Sequence, residues 1–370
     1  RLCVGVGGNN REKSLDMAMD TQEMEAPGGT PTIAVVILNW NGEKLLKEFL
    51  PKVVATTDAS ISRIIVADNG STDGSLAYVA DAFPEIVEVM SFPENYGFAE
   101  GYNKAVARCS GYKYVVLLNS DVATSPGWDR ELYLYMEANP DTAACQPKIL
   151  SYRDPGRFEY AGSCGGFLDG DGYPYCRGRI FGECEQDYGQ YDTPAEVFWA
   201  SGACLMVRPS VYMEAGALDS AFFAHMEEID LCWRILLLGK KIAVVPSAKV
   251  YHLGGGSLPA ENPRKTYLNF RNNLLMLHKN LPDSCRRSAL IRRRLLDTLA
   301  WAKYVLSFDW ANAAAIFRAH RHFAHMRKEY TQHPAVNLLS QRRWPCRSIL
   351  FEYYIRRIRR FGELVKTNLV

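Results

Sequence analysis

The 370-residue chain has no uninterrupted apolar run near the roughly 18 residues that a membrane-spanning helix requires. Its N-terminal stretch lacks the hydrophobic core of a signal peptide. Ten cysteines are present, yet none forms a CxxC pair. The tightest group, Cys164, Cys176 and Cys184, fits neither a zinc site nor a small disulfide framework. Such scattered thiols suggest a reducing cytoplasm. No internal repeat and no low-complexity tract occurs. No GxGxxG follows the first apolar strand, which argues against a Rossmann dehydrogenase. That position reads NWNGEKLL, without the Gly-rich, cation-bearing phosphate loop that a nucleotidyltransferase would want.

What is present is a core-forming chain, 48% hydrophobic, with its charge divided along its length. From residue 283 onward, 18 Lys and Arg face 6 Asp and Glu, a net of +12; the preceding residues carry 25 against 35, a net of −10. The body is acidic and the tail basic, and a basic tail meets phosphate on nucleic acid or on an anionic membrane. Residues 1–30 are polar and aperiodic and read as a disordered leader. Residues 31–280 read as one domain, and 281–370 as a basic amphipathic helical region.

Within the domain, apolar strands at 33–38, 64–67, 87–90 and 114–118 alternate with helices at 43–50, 75–83 and 98–109. Near-continuous apolar strands separated by helices indicate an α/β fold with a mostly parallel sheet covered on both faces. In such sheets ligands bind at the carboxyl ends of the strands. Asn39, Asp68 and the run from Asn119 to Asp121 lie at those ends and should line one crevice. Residues 151–198 are rich in Gly, Tyr and Asp and read as an irregular or hairpin insertion over it. Strands are expected at 242–245 and 249–252, with helices from 265 onward.

The densest chemical signal is Glu227, Glu228 and Asp230 in AHMEEIDLCWRILLLG, a helix with Ile229, Trp233, Leu236 and Leu237 on its apolar face. Three carboxylates within four residues repel one another unless a helix N-terminus, a cation or a proton compensates. Asp230 also stands four residues before Arg234, the spacing of an intrahelical ion pair.

AVVILNWNG, IIVADNGSTDGS, ENYGFAEGYNKAV with YVVLLNSDV, and 201–257 with SGACLMVRPSV, HMEEIDLCWRILLLGKKIAVVP and VYHLGGGS together resemble the family 2 glycosyltransferases. The similarity is to the branch of bacterial rhamnosyltransferases of surface-polysaccharide assembly, and it covers about 32–280. It implies a GT-A fold and transfer from a nucleotide-sugar, a dTDP- or UDP-sugar, with inversion. It implies that Asp68 contacts the nucleoside, with Asp73 and Asn39 nearby, and that Asn119-Ser120-Asp121 stands at the DxD position. There Asn replaces the first carboxylate, so Asp121 is the main ligand of a divalent cation, Mg²⁺ or Mn²⁺, with His252 completing the shell. The second residue of the family's acidic pair removes the acceptor proton and is here Glu228, with Glu227 and Asp230 as alternatives. Trp199, Ser201 and Gly202 are expected to face the donor sugar or the acceptor, and Arg271 a phosphate.

In the tail, RRSALIRRRLLDTLAWAKYVLSFDW, FRAHRHFAHMRKEY and YYIRRIRRFGEL interleave apolar faces with Arg clusters. This pattern favours the inner surface of a cytoplasmic membrane over nucleic acid as the partner, and a lipid-linked acceptor agrees with it. His320, His322 and His325 match no metal-binding spacing. A non-catalytic nucleotide-sugar binding module is the competing reading, against which Asp121 and Glu228 argue.

Overall fold

The computed structural model describes residues 32–254, 262–341 and 344–368; the expected leader and residues 255 and 256 of the Gly run lie outside them. Strands β1 (Ile33–Asn39), β2 (Ser62–Asp68), β3 (Val87–Ser91) and β4 (Tyr114–Asn119) run parallel in the spatial order β3-β2-β1-β4. Val36 and Leu117 pack into one core, while Val35 and Val116 pack into another. Burial on both faces is why these strands read as unbroken apolar runs. Helices α1 (Glu43–Thr56), α2 (Ser75–Ala82) and α3 (Gly97–Arg108) make the crossovers. α1 passes through Pro51 instead of stopping at Leu50 as expected. Its buried Leu46, Phe49, Leu50 and Val53 offset the hydrogen bond that proline removes.

The chain continues through β5 (Val122–Thr124), α4 (Trp128–Ala138) and β6 (Thr142–Ser151). The insertion then folds as its own antiparallel sheet of β7 (Gly166–Leu168), β8 (Pro174–Cys176), β9 (Arg179–Ile180) and β10 (Glu183–Cys184). After it come β11 (Ala195–Glu196), β12 (Cys204–Val207), α5 (Pro209–Glu214), α6 (Glu227–Leu237) and β13 (Lys241–His252). The main sheet is ordered β11-β13-β6-β12-β4-β1-β2-β3, with β5 paired to β13. β12 is antiparallel to both neighbours, whereas β13 is parallel to β6. The two strands expected at 242–245 and 249–252 are one strand with a register irregularity between Val245 and Lys249.

The tail, expected to be helical from 265 onward, is so only in part. α7 (Pro263–Asn280), α8 (Asp283–Leu306) and α9 (Trp310–Met326) form a packed helical layer. Single turns follow until α10 (Phe361–Asn368). The aromatic residues of this last stretch return to the insertion: Trp344 meets Phe167 and Phe198, and Phe361 stacks on Phe167 at 5.4 Å. Asp169 of the insertion accepts the Ile349 amide at 2.8 Å. Burial of large rings outweighs the solvated Arg pattern there. Among the described residues, no helix is long and apolar enough to cross a membrane, and nine cysteines are unpaired.

Candidate active site

Parallel register sets the carboxyl ends of β1, β2 and β4 side by side, pairing Asn39 with Asp68 and Leu38 with Asn119. Polar side chains then tie the loops together. Asn39 Nδ2 donates to Asp68 Oδ1 at 3.0 Å and to Ser71 Oγ at 3.1 Å. Asp68 Oδ2 accepts the Ser71 amide at 3.0 Å, so this buried carboxylate is spent largely on its own turn. Asp73 is exposed and accepts the amides of Glu43 and Ser75. Asn69 Nδ2 donates to Gly97 O and its Oδ1 accepts the Tyr96 amide, linking the next loop. Gly70 has φ +73°, and a Cβ there would lie 2.7 Å from Glu94 backbone, so the sharp turn after Asp68 needs glycine.

A second group converges where β4 and β13 end. Asp121 Oδ1 lies 3.1 Å from His252 Nε2, and Leu253 N–H donates to the Asp121 carbonyl. Glu159, from the insertion, places Oε2 3.3 Å from His252 Nδ1 without hydrogen-bonding alignment. Burial pushes the imidazole down, but the two carboxylates override it and raise its pKa to about 10. Gly254 belongs to the same cluster, since a Cβ there would lie 2.6 Å from Glu159 Oε1. Asn119, one of the expected donor contacts, donates its backbone N–H to Ala203 O, just before β12.

Ala203 follows Gly202, and a Cβ added at Gly202 would meet Glu228 Cβ at 3.6 Å and Phe98 at 3.8 Å. β4 thus connects the Asp121 end to the start of α6. Glu227 Oε2 and Glu228 Oε2 are buried and accept no hydrogen bond. Burial raises both carboxyl pKa values, Glu227 further because Glu228 lies beside it, while backbone amides at the helix start pull back on Glu228.

The third acid differs. Asp230 Oδ1 accepts from Asn280 Nδ2 at 2.7 Å, and Oδ2 from Arg234 Nε and Lys279 Nζ, both at 2.9 Å. Burial would raise its pKa, but the two cations hold it below the ordinary value. It therefore anchors α6 to α7.

The approach to α6 is strained. Phe223, His225 and Met226 have φ of 66°, 67° and 74°, which side chains other than glycine rarely adopt. Asn272 Nδ2 donates to the carbonyls of Phe222, Ala224 and His225 at 2.7–2.9 Å. Arg271 donates to Ala221 O and Phe222 O, to Asn272 Oδ1 and to Tyr267 Oη. The expected phosphate contact of Arg271 is thus largely occupied by the turn. Trp199 is buried over Gly166 and donates to Phe167 O at 3.0 Å, and Ser201 donates to Ala161 O. Both support the fold rather than face a crevice. His320 pairs with buried Asp297 and His322 contacts Tyr267, away from any shared position.

Residues 34–212 match the family model described as Glycosyl transferase family 2. The chain is a glycosyltransferase, and its match to family 2 spans just under half of it. An N-acetylglucosaminyl-diphospho-decaprenol L-rhamnosyltransferase of Mycobacterium tuberculosis is 28% identical over 252 residues, covering 60% of this chain and 76% of that protein. The dTDP-rhamnosyl transferase RfbF of Shigella flexneri is 23% identical, covering 67% and 80%. Rhamnosyltransferase WbbL of Escherichia coli is 22% identical, covering 60% and 83%. The solved structure of GalNAc-T7 with UDP, GalNAc and Mn²⁺ superposes with a TM-score of 0.52 at 14% identity. It covers 68% of this chain, which spans about half (48%) of that one, and it shows that the glycosyltransferase has the GT-A fold.

Asp121 and His252 are side chains of the types that ligate a divalent cation. Among the described residues, no three His, Cys, Asp or Glu side chains enclose a metal by themselves. A carboxylate and an imidazole 3.1 Å apart offer two ligands on one side and leave the others to a donor diphosphate. Glu159 was not foreseeable from its neighbours in sequence. It sits in the aperiodic insertion and arrives through the Phe158–Leu150 bridge.

Proposed function

We propose that this glycosyltransferase moves a sugar, rhamnose by its relatives' names, from a dTDP- or UDP-sugar to a lipid-linked saccharide with inversion at the anomeric carbon. The observation that carries the reading is the Glu227–Glu228 pair at the start of α6, each with one buried oxygen that accepts no hydrogen bond, connected through Gly202 and β4 to the Asp121–His252 end. Glu228 takes the acceptor hydroxyl proton as that oxygen attacks, a step that needs a positioned carboxylate because the free hydroxyl does not ionise at neutral pH. Glu227, beside it, is itself held toward its protonated form by burial and by the Glu228 charge. Asp230 holds the helix start rigid through Arg234, Lys279 and Asn280. Asp68, Asp73 and Asn39 shape the nucleoside end of the crevice. Asp121 and His252 would hold a divalent cation, which would stabilise charge on the departing diphosphate. His252 must release its proton to serve as a ligand.

The same reading places the chain peripherally on the inner face of a cytoplasmic membrane. The α8–α9 layer exposes Leu299, Phe308, Trp310 and Phe317, at 68%, 78%, 61% and 67% of their surfaces. Exposed Arg287, Arg294, Lys303 and Arg318 lie among them. Such a surface matches an anionic bilayer. The test is transfer from a panel of nucleotide-sugars with Mn²⁺ or Mg²⁺, beside Glu228→Gln and Asp121→Ala. Metal-dependent turnover lost in both folded variants supports the reading; binding of donors without turnover, lipid-linked acceptor present, supports a binding module.

A further inference from the structure

A cavity of about 610 Å³ lies between α7 and α9, lined by Tyr267, Arg271, Arg321, His322, His325 and Met326. Two of the six side chains are guanidinium groups, two are imidazoles, and none is a carboxylate. Arg271 is buried, and every group that accepts from it is neutral: two backbone carbonyls, an amide oxygen and a hydroxyl. Its charge is therefore desolvated without a counter-ion, a costly state that a bound anion relieves. Arg321 has no carboxylate partner among the described residues. His322 Nδ1 lies 2.7 Å from Tyr267 Oη, which in turn accepts from Arg271.

The same face of α9 changes character along its length. Phe317, Arg321 and His325 recur every four residues and so stand one above another. Phe317 and Trp310, a further two turns back, are exposed apolar surface, whereas Arg321 and His325 belong to the cavity. An apolar track running into a cationic pocket complements a phosphate carried on an apolar chain. The volume exceeds what a diphosphate alone fills and lies within the usual range of small-molecule sites, about 300–1,000 Å³.

We propose that this cavity binds the phosphate groups of an amphiphile, with the apolar chain lying along Phe317 and Trp310. It deepens the reading of a lipid-linked acceptor and rests on that reading for its purpose. The cavity also adjoins the catalytic turn, because Arg271 lines it while holding the carbonyls of Ala221 and Phe222.

The test uses the full chain with farnesyl diphosphate as probe, read by calorimetry without donor sugar or metal, so that its outcome is independent of turnover. Saturable binding is expected, weakened at least tenfold by Arg321→Glu, which removes no described contact and should leave Tm unchanged. Phe317→Ser should weaken farnesyl diphosphate but not inorganic pyrophosphate. Farnesol, lacking phosphate, should not compete. Binding that is absent, unchanged in Arg321→Glu, or equally displaced by farnesol overturns the proposal. Competition by phosphatidylglycerol vesicles would assign the phosphate to a bilayer headgroup, and its absence to a diphosphate-bearing acceptor. Either keeps the cavity as the site.

Discussion

At the residue scale, three neighbouring acids have been sorted by what surrounds them. Glu227 is buried and Glu228 half-buried, each with one carboxylate oxygen that accepts no hydrogen bond, and desolvation lifts both above the ordinary carboxyl value. A base works ionised, so the acid limb of kcat/KM should lie above the ordinary Glu value of about 4.3, with activity rising as pH climbs through it. The stability sign is the opposite. A carboxyl raised by folding contributes stability below its unfolded pKa and loses that contribution as pH rises through the folded one. Glu228→Gln should therefore lose about 10²–10⁴ in kcat, while its Tm gains on wild type as pH rises above the ordinary Glu range. A gap independent of pH would contradict the assignment. Asp230, by contrast, is fully buried against Arg234 and Lys279. Asp230→Ala strands two cations and should cost about 3–5 kcal/mol in urea unfolding; a loss of activity at full stability would return Asp230 to contention as the base. The sequence makes the cluster visible and its resemblance points to Glu228, with Glu227 and Asp230 as alternatives. What separates them is Lys279 and Asn280, some fifty residues away and without any local pattern pointing back.

At the scale of elements, the turn before α6 stores strain that α7 holds in place. Three left-handed residues precede Glu227, and one Asn272 amide reaches three of the turn's carbonyls. Asn272→Ala leaves those carbonyls unpaired, a cost of about 1–3 kcal/mol. It should lower kcat while leaving the donor KM near wild type, because the nucleoside end of the crevice is built from other loops. A change confined to KM would place Asn272 elsewhere in the mechanism. The four parallel strands were legible as apolar runs, since burial on both faces leaves no polar alternation to hide them. α1 was not legible past Pro51, because the packing of Val53 is tertiary information. The stretch after 326 read as helix because apolar residues interleave with Arg clusters, yet Trp344 and Phe361 go to the core beside Phe167. Glu159 shows the same limit inside the site: an irregular insertion gives no period from which to infer where its carboxylate points.

At the scale of the molecule, an acidic body carries a basic helical layer that exposes apolar side chains among Arg and Lys. Vesicles containing phosphatidylglycerol should bind the full chain, and binding should weaken as salt rises, because the exposed cations are screened over roughly 10 Å at 0.1 M. Leu299→Glu with Phe308→Glu should reduce sedimentation with such vesicles severalfold without lowering Tm, since both side chains are already in water. Undiminished binding would move the contact to another surface. The acceptor's chemistry and the enzyme's location would then need separate explanations.

The central claim is that Glu228 activates the acceptor beside a cation held by Asp121 and His252. Its most direct test is single-turnover transfer from the cognate nucleotide-sugar with Mn²⁺, comparing wild type, Glu228→Gln and Asp121→Ala at equal donor occupancy. The account predicts that Glu228→Gln binds donor normally and fails to transfer, whereas Asp121→Ala loses the response to Mn²⁺. Full-rate transfer by Glu228→Gln, at the pH where wild type is active, would contradict it.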